Sequence, residues 1–157
     1  MAAPKNNEFW KLRSKHGRKA LFTNPKKLWE AACEYFQWCE DNPLWEAKAF
    51  QNKGEVIIAE LPKMRAMTLG QLCFYLNCTK DYFHQFKESK TYKENKDFSI
   101  IIKEIENIIY NQKFQGAAAD LLNSNIIARD LGLIEKRQSE VNLNGTKFQV
   151  KLINDRS

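Results

Sequence analysis

One stretch limits what this chain can fold into more than any other: Phe98 to Leu133, FSIIIKEIENIIYNQKFQGAAADLLNSNIIARDLGL. Phe98, Ile101, Ile102, Ile105, Ile108 and Ile109 recur at three- and four-residue spacing, which gathers them on one side of a helix. Lys103, Glu104, Glu106 and Asn107 fall mostly on the other side. At Gly116-Ala117-Ala118-Ala119 the side chains are small enough for another helix to approach closely. Leu121, Leu122, Ile126, Ile127 and Leu131 then extend the apolar surface, and Gly132 suits the left-handed position that ends a helix. The pattern predicts a long helical hairpin. Its apolar face fits either an ordinary buried core or a surface shared between protomers.

The rest of the chain predicts a mainly α protein around that pair. Asn24-Pro25 is a helix start, a capping side chain followed by proline at the first helical position. Leu28, Trp29, Ala32, Cys33, Phe36 and Cys39 give this helix its apolar face, and Asn42-Pro43 ends it. A β-hairpin is expected over about 45–59, turning at Gln51-Asn52-Lys53-Gly54 and returning through Val56-Ile57-Ile58, with Pro62 as its stop. Such a hairpin is marginal unless a second protomer or the chain's own helices pack on it. Residues 67–87 have the outline of a helix-turn-helix: Leu69, Leu72, Cys73 and Leu76 face inward, and Thr79 caps a second helix anchored by Tyr82, Phe83 and Phe86. Residues 87–96 read as a charge-mixed linker or a solvated helix extension.

Charge separates the N-terminus from everything after it. Residues 1–27 carry eight basic side chains against Glu8 alone, which leaves 17 basic and 18 acidic residues for the remainder of a chain of net charge +6. A basic arm on a near-neutral body is suited to phosphate; it would equally serve as a solvated leader or hold a neighbouring protomer. The candidate DNA contacts are Lys5, Lys11, Arg13, Lys15, Arg18 and Lys19 on the arm, with Lys80, Gln85 and Lys87 on the second helix of the helix-turn-helix if that motif reads DNA; the alternative is a motif retained as scaffold. The division expected is an arm over 1–23, a helical oligomerisation core over 24–135, and a C-terminal hairpin or tail over 136–157. With 43% hydrophobic residues, the chain has enough apolar surface for a core. No apolar run is long enough to span a bilayer, and the N-terminus lacks a signal-peptide core, so a cytoplasmic protein with no membrane partner is expected.

Catalytic signatures are missing from the sequence. It has no GxxxxGK[ST] phosphate cradle, no GxSxG elbow and no HExxH helix, and His16 and His84 lie in different elements. Cys33, Cys39, Cys73 and Cys78 are spaced poorly for zinc and are expected as reduced thiols. A non-enzymatic protein without metal or cofactor follows as the expectation.

Several segments together resemble one family. Lys113-Phe114-Gln115-Gly116-Ala117-Ala118-Ala119-Asp120-Leu121-Leu122 and Asn125-Ile126-Ile127-Ala128-Arg129-Asp130-Leu131-Gly132-Leu133 are similar to the small terminase subunit of short-tailed, headful-packaging phages. Met1-Ala2-Ala3-Pro4-Lys5, Asn42-Pro43-Leu44-Trp45-Glu46 and Lys63-Met64-Arg65-Ala66-Met67-Thr68 resemble the same family, so the likeness runs from Met1 to about residue 135. The resemblance implies a ring of about nine protomers, closed by cyclic symmetry. It also implies binding to the packaging-initiation region of the phage genome, in the cytoplasm of the infected cell. The partner it implies is a large terminase subunit, which carries the ATPase and nuclease. On this reading Ile101, Ile105, Ile108, Gly116, Ala118, Leu121 and Leu122 are the candidate oligomerisation residues. The competing reading of the same residues is a helix-turn-helix transcription regulator, a dimer reading paired half-sites; a purely structural ring is a third.

The C-terminal end departs from that family, whose tails are strongly basic and implicated in DNA and large-subunit binding. Here only Lys147, Lys151 and Arg156 are basic after Arg137. Asn144-Gly145 is instead a strong two-residue hairpin turn, setting Leu143 opposite Thr146 and Val141 opposite Phe148. Neighbouring hairpins in a ring would pair edge to edge into a barrel, with Phe148, Val150, Lys151 and Leu152 as candidate docking residues for the large subunit. A disordered tail is the alternative.

Overall fold

The structure, a computed structural model, describes Phe9, residues 12–133, and the backbone of residues 139–143 and 146–150. Its elements run α1 (Arg18–Leu21), α2 (Pro25–Asp41), β1 (Leu44–Asn52), β2 (Glu55–Lys63), α3 (Leu69–Tyr75), α4 (Lys80–Glu88), α5 (Lys90–Glu94), α6 (Lys96–Ala118), α7 (Ser124–Asp130), β3 (Ser139–Leu143) and β4 (Thr146–Val150). The protein is mainly helical. α2, α3, α4 and α6 enclose a core in which Leu28, Ala32, Leu72, Leu76, Phe83, Phe98, Ile102 and Ile105 are all fully buried.

Local chemistry sets the helix ends. Asn24 accepts from Lys27 N at 3.2 Å ahead of Pro25, and Thr79 accepts from Tyr82 N at 3.1 Å, as the sequence predicts at both sites. Thr68, Ser89, Asn95 and Asn123 cap α3, α5, α6 and α7 in the same way. At the other ends, Gly132 has a φ of 71°, and Leu133 N reaches back to Ala128 O at 2.8 Å. The same closing turn follows α3 and α6, but with Asn77 and Asp120 held left-handed in place of glycine. Their six-residue bonds are Cys78 N to Cys73 O at 2.9 Å and Leu121 N to Gly116 O at 2.8 Å.

α6 shows its inward face through Phe98, Ile102, Ile105, Ile109, Lys113 and Gly116. The expected long helical hairpin is asymmetric: α6 has 23 residues and its partner α7 only 7. Lys113 is buried, and its ammonium meets Asp130 Oδ2 at 2.6 Å, which fastens α7 to α6. A methyl group on Gly116 would come within 2.8 Å of both Leu122 Cδ1 and Met64 Sδ. The small residue there admits this chain's own side chains.

The first hairpin runs longer than expected, through Pro62 and on to Lys63. Its two-residue loop, Lys53-Gly54, has φ of 50° and 87°, as a primed turn requires. That loop makes Asn52 and Glu55 a hydrogen-bonded pair, so in the antiparallel alternation Trp45 and Pro62 form a non-bonded one. The proline nitrogen points away from β1 and costs the ladder nothing. The polar stretch after α4 is a short helix, α5, whose Tyr92 packs edge-on to Phe86 at 6.1 Å. β3 and β4 pair antiparallel, Leu143 with Thr146 and Val141 with Phe148. No helix among the described residues is long and apolar enough to cross a membrane.

Candidate nucleic-acid interface

The end of the basic arm is built into the body. Leu21 is fully buried, and Phe22 sits edge-on to Tyr82 at 5.0 Å and to Phe86 at 4.9 Å. Phe86 continues to Phe98 at 5.1 Å, so one run of aromatic rings links the arm, α4 and α6. The last turn of the arm, α1, thus packs against the helical body. The basic residues around it had masked the apolar pair.

Upstream of α1 the chain lies against the turn between α3 and α4. Ser14 N donates to Tyr75 O at 3.0 Å, and Phe9 packs edge-on to Phe74 at 6.3 Å. The Arg13 guanidinium stacks 4.7 Å over the Phe74 ring and donates to Asn77 Oδ1. Asn77 is the left-handed residue of the turn, so Arg13 holds the side chain of the residue that closes α3. Arg18 stacks 4.6 Å over Tyr82 of α4. A cation on an aromatic face keeps its charge while losing orientational freedom.

The result is one basic edge. Arg13 and Lys15 are exposed on the segment that leads into α1 and Arg18 and Lys19 on α1 itself, with Lys80 and Gln85 exposed on α4. Lys80 rests its aliphatic end over Gly70, where an added Cβ would stand 2.9 Å from Lys80 Cε. Asp81 and His84 are exposed on α4 as well. Lys87 differs: its ammonium holds both carboxylate oxygens of Glu106 at 2.8 and 3.0 Å and ties α4 to α6. Lys5 and Lys11 lie outside the described residues.

The candidate oligomerisation residues divide. Ile105 and Gly116 are buried in the chain's own core, and Ile101 and Ile108 are half-buried against it. Leu122 is half-buried on Gly116, while Ala118 and Leu121 are exposed. Of the candidate docking residues, Phe148 and Val150 belong to β4; Lys151 and Leu152 lie outside the described residues.

Two structural residues escaped the sequence reading. Arg65 is 3% exposed, donates from Nε to Asn42 O at 2.7 Å, and lies 4.7 Å over the Trp38 ring. It closes the C-terminal end of α2 at the root of the β-hairpin. Burial lowers its pKa, partly offset by Cys39 and Tyr35. Gln112 of α6 then clasps the same segment, accepting from Met67 N at 3.0 Å and donating to Arg65 O at 2.9 Å. Arg65 stood inside a family-like segment, but nothing local marks an arginine as buried.

Cys33, Cys39, Cys73 and Cys78 are free thiols. Cys73 donates to Cys78, which raises Cys73 and lowers Cys78, with Arg18 adding to the second effect. Among the described residues no three His, Cys, Asp or Glu side chains come together as metal ligands.

Basic side chains backed by aromatic rings on a capped helix pair define a small helical protein with a basic edge. Comparison with known proteins gives the family. Residues 17–141 match the family described as DNA-packaging protein gp3, and the chain is 53% identical over 140 residues to the small terminase subunit of Salmonella phage P22, covering 89% of this chain and 83% of that one. This chain belongs to that family of phage DNA-packaging proteins, the small terminase subunits.

Proposed function

We propose that this protein assembles into a ring, binds the packaging-initiation site of a phage genome, and recruits and regulates a large terminase subunit that carries the ATPase and nuclease. It acts without catalytic residues or a cofactor of its own, in the cytoplasm of the infected cell. The observation that carries the DNA-binding part is the basic edge: Arg13 and Arg18 are held by aromatic stacking beside Lys15, Lys19 and Lys80. Lys5 and Lys11, outside the described residues, are further candidate contacts, and Gln85 is a neutral polar side chain available on α4. Lys87 is assigned to the α4–α6 tie instead. The division of labour is an arm over 1–23, an oligomerising core over 24–135, and a C-terminal unit over 136–157. In the ring, the β3–β4 hairpins of neighbouring protomers join at their edges, and Phe148, Val150, Lys151 and Leu152 form the docking site for the large subunit.

The experiment has two arms. Native mass at micromolar concentration is expected to give a closed oligomer; a monomer refutes assembly. DNA affinity is then followed against salt, where each phosphate contact contributes about −0.9 to the logarithmic slope. Replacing Arg13, Lys15, Arg18 and Lys19 with alanine is expected to flatten that slope by about 2–4 on the same scale. An unchanged slope places the DNA contacts elsewhere.

A further inference from the structure

Among the described residues, two of the exposed apolar surfaces differ in kind. The first is the outer half of the β1–β2 hairpin, where Phe50, Val56, Ile57 and Ile58 are 43%, 69%, 50% and 71% exposed. Opposed residues share a face of the ribbon. Val56 and Ile58 therefore lie on one face with Gln51 and Ala49, while Ile57 lies on the other with Phe50. Both faces are apolar and both are bare. The second surface is the outside of the α6–α7 unit, where Tyr110 and Phe114 stack with ring centroids 6.3 Å apart. Leu121, between α6 and α7, and Ile126, on α7, are also exposed on this unit, at 57% and 65%.

We infer that the hairpin of one protomer lies across the α6–α7 outer face of the next. The inference rests on the proposed ring and assigns its contact. Nucleic acid is a poor occupant for the hairpin, since Lys48, Lys53 and Lys63 are matched by Glu46, Glu55 and Glu60, leaving the ribbon neutral. A neutral apolar ribbon fits an apolar protein surface. Pairing hairpin with hairpin would make an isologous dimer and leave the α6–α7 face uncovered. Pairing hairpin with α6–α7 covers both surfaces by one repeated, head-to-tail contact, the kind that closes into a ring. Reach permits it: strands of nine residues extend about 30 Å, enough to leave one protomer and cross the C-terminal half of a neighbour's helix. The contact also supplies the packing that a lone two-stranded hairpin lacks.

The test uses the full-length chain and a short bismaleimide. Cysteine is introduced in pairs, Ile58→Cys with Phe114→Cys and Ile57→Cys with Phe114→Cys, one pair for each face of the ribbon. The unmodified chain is the control for the native thiols. At least one pair is expected to give a ladder of covalent multimers reaching the native mass, with neither hairpin substitution doing so alone. A closed ring in which both pairs fail to link, or in which hairpin cysteines link only to each other as dimers, overturns the contact and leaves the ring standing. A monomeric native mass for the unmodified chain overturns both. Ile58→Glu supplies the independent readout: loss of assembly with unchanged helical circular dichroism is expected, and an intact ring in both Ile58→Glu and Ile57→Glu counts against the contact.

Discussion

The α3–α4 pair and the β1–β2 hairpin are segments of similar length, close together in the chain, yet they are held in opposite ways. In α3–α4 every local device agrees with the tertiary packing. Thr68 and Thr79 cap the helices, Asn77 turns the chain, and Leu72, Leu76 and Phe83 vanish into the core. The hairpin has equally good local chemistry in its Lys53-Gly54 turn and unbroken register, but its outer half stands bare in the protomer. Its root is fastened beside Arg65, which donates to Asn42 O. The difference teaches that a well-formed element need not be buried within its own chain: the helix pair is stabilised by burial, while the outer half of the hairpin is held in the protomer by its turn and ladder alone.

Core substitution should break the comparison most sharply. Phe83→Ala removes a fully buried ring from α4 and is expected to cost about 3–5 kcal/mol. Ile58→Ala, at a position 71% exposed, is expected to stay within about 0.5 kcal/mol in dissociated protein. Urea unfolding of both variants, monitored by helical circular dichroism, measures the contrast. Equal losses would mean that the hairpin and the helical body share one core.

The next largest effect is expected at the joint. Arg65→Ala removes the donor to Asn42 O and the packing on Trp38, at a cost of about 2–3 kcal/mol. A urea midpoint that does not move would show the hairpin root to be held by backbone alone. Below it comes Thr79→Ala, which deletes the cap on Tyr82 N and is expected to cost about 1 kcal/mol by the same measurement. That loss tests whether the helix pair is part of the cooperative body, as its buried face implies.

What was legible in the sequence follows the same division. The caps at Asn24 and Thr79 and the helix end at Gly132 were readable because a cap depends on three or four adjacent residues. The same holds for the turn cluster at Gln51-Asn52-Lys53-Gly54, though not for its primed geometry. Partners distant in sequence were not. Gly116 advertised a close approach without saying that Leu122 and Met64 make it, and the isoleucines of α6 gave a face without saying what covers it. Leu21 and Phe22 were hidden by the charges around them, although they are core. By sequence Lys87 is a candidate DNA contact and Lys113 only part of a family-like segment, but each ties one helix to another, through Glu106 and Asp130. In the basic edge, the residue types were readable; the stacking of Arg13 and Arg18 on Phe74 and Tyr82 was not.

The smallest predicted effect is the most specific probe of the hairpin's independence. Lys53 holds a φ of 50° in the first position of a primed turn, where asparagine is strongly preferred over lysine. Lys53→Asn relieves that backbone preference without touching either face of the ribbon, and a gain of about 0.5 kcal/mol is expected for the hairpin itself. The gain should be visible only where the hairpin opens. Amide exchange at Ile57 and Ala59, whose N–H groups face β1 in the bonded pairs with Phe50 and Lys48, is expected to slow by about twofold, since 1.4 kcal/mol corresponds to a factor of ten. The urea midpoint of the helices is expected to remain in place, because the hairpin opens before the body does. A midpoint that rises in step with hairpin protection would make the hairpin part of the same cooperative unit as α3–α4, and the contrast between the two regions would be lost.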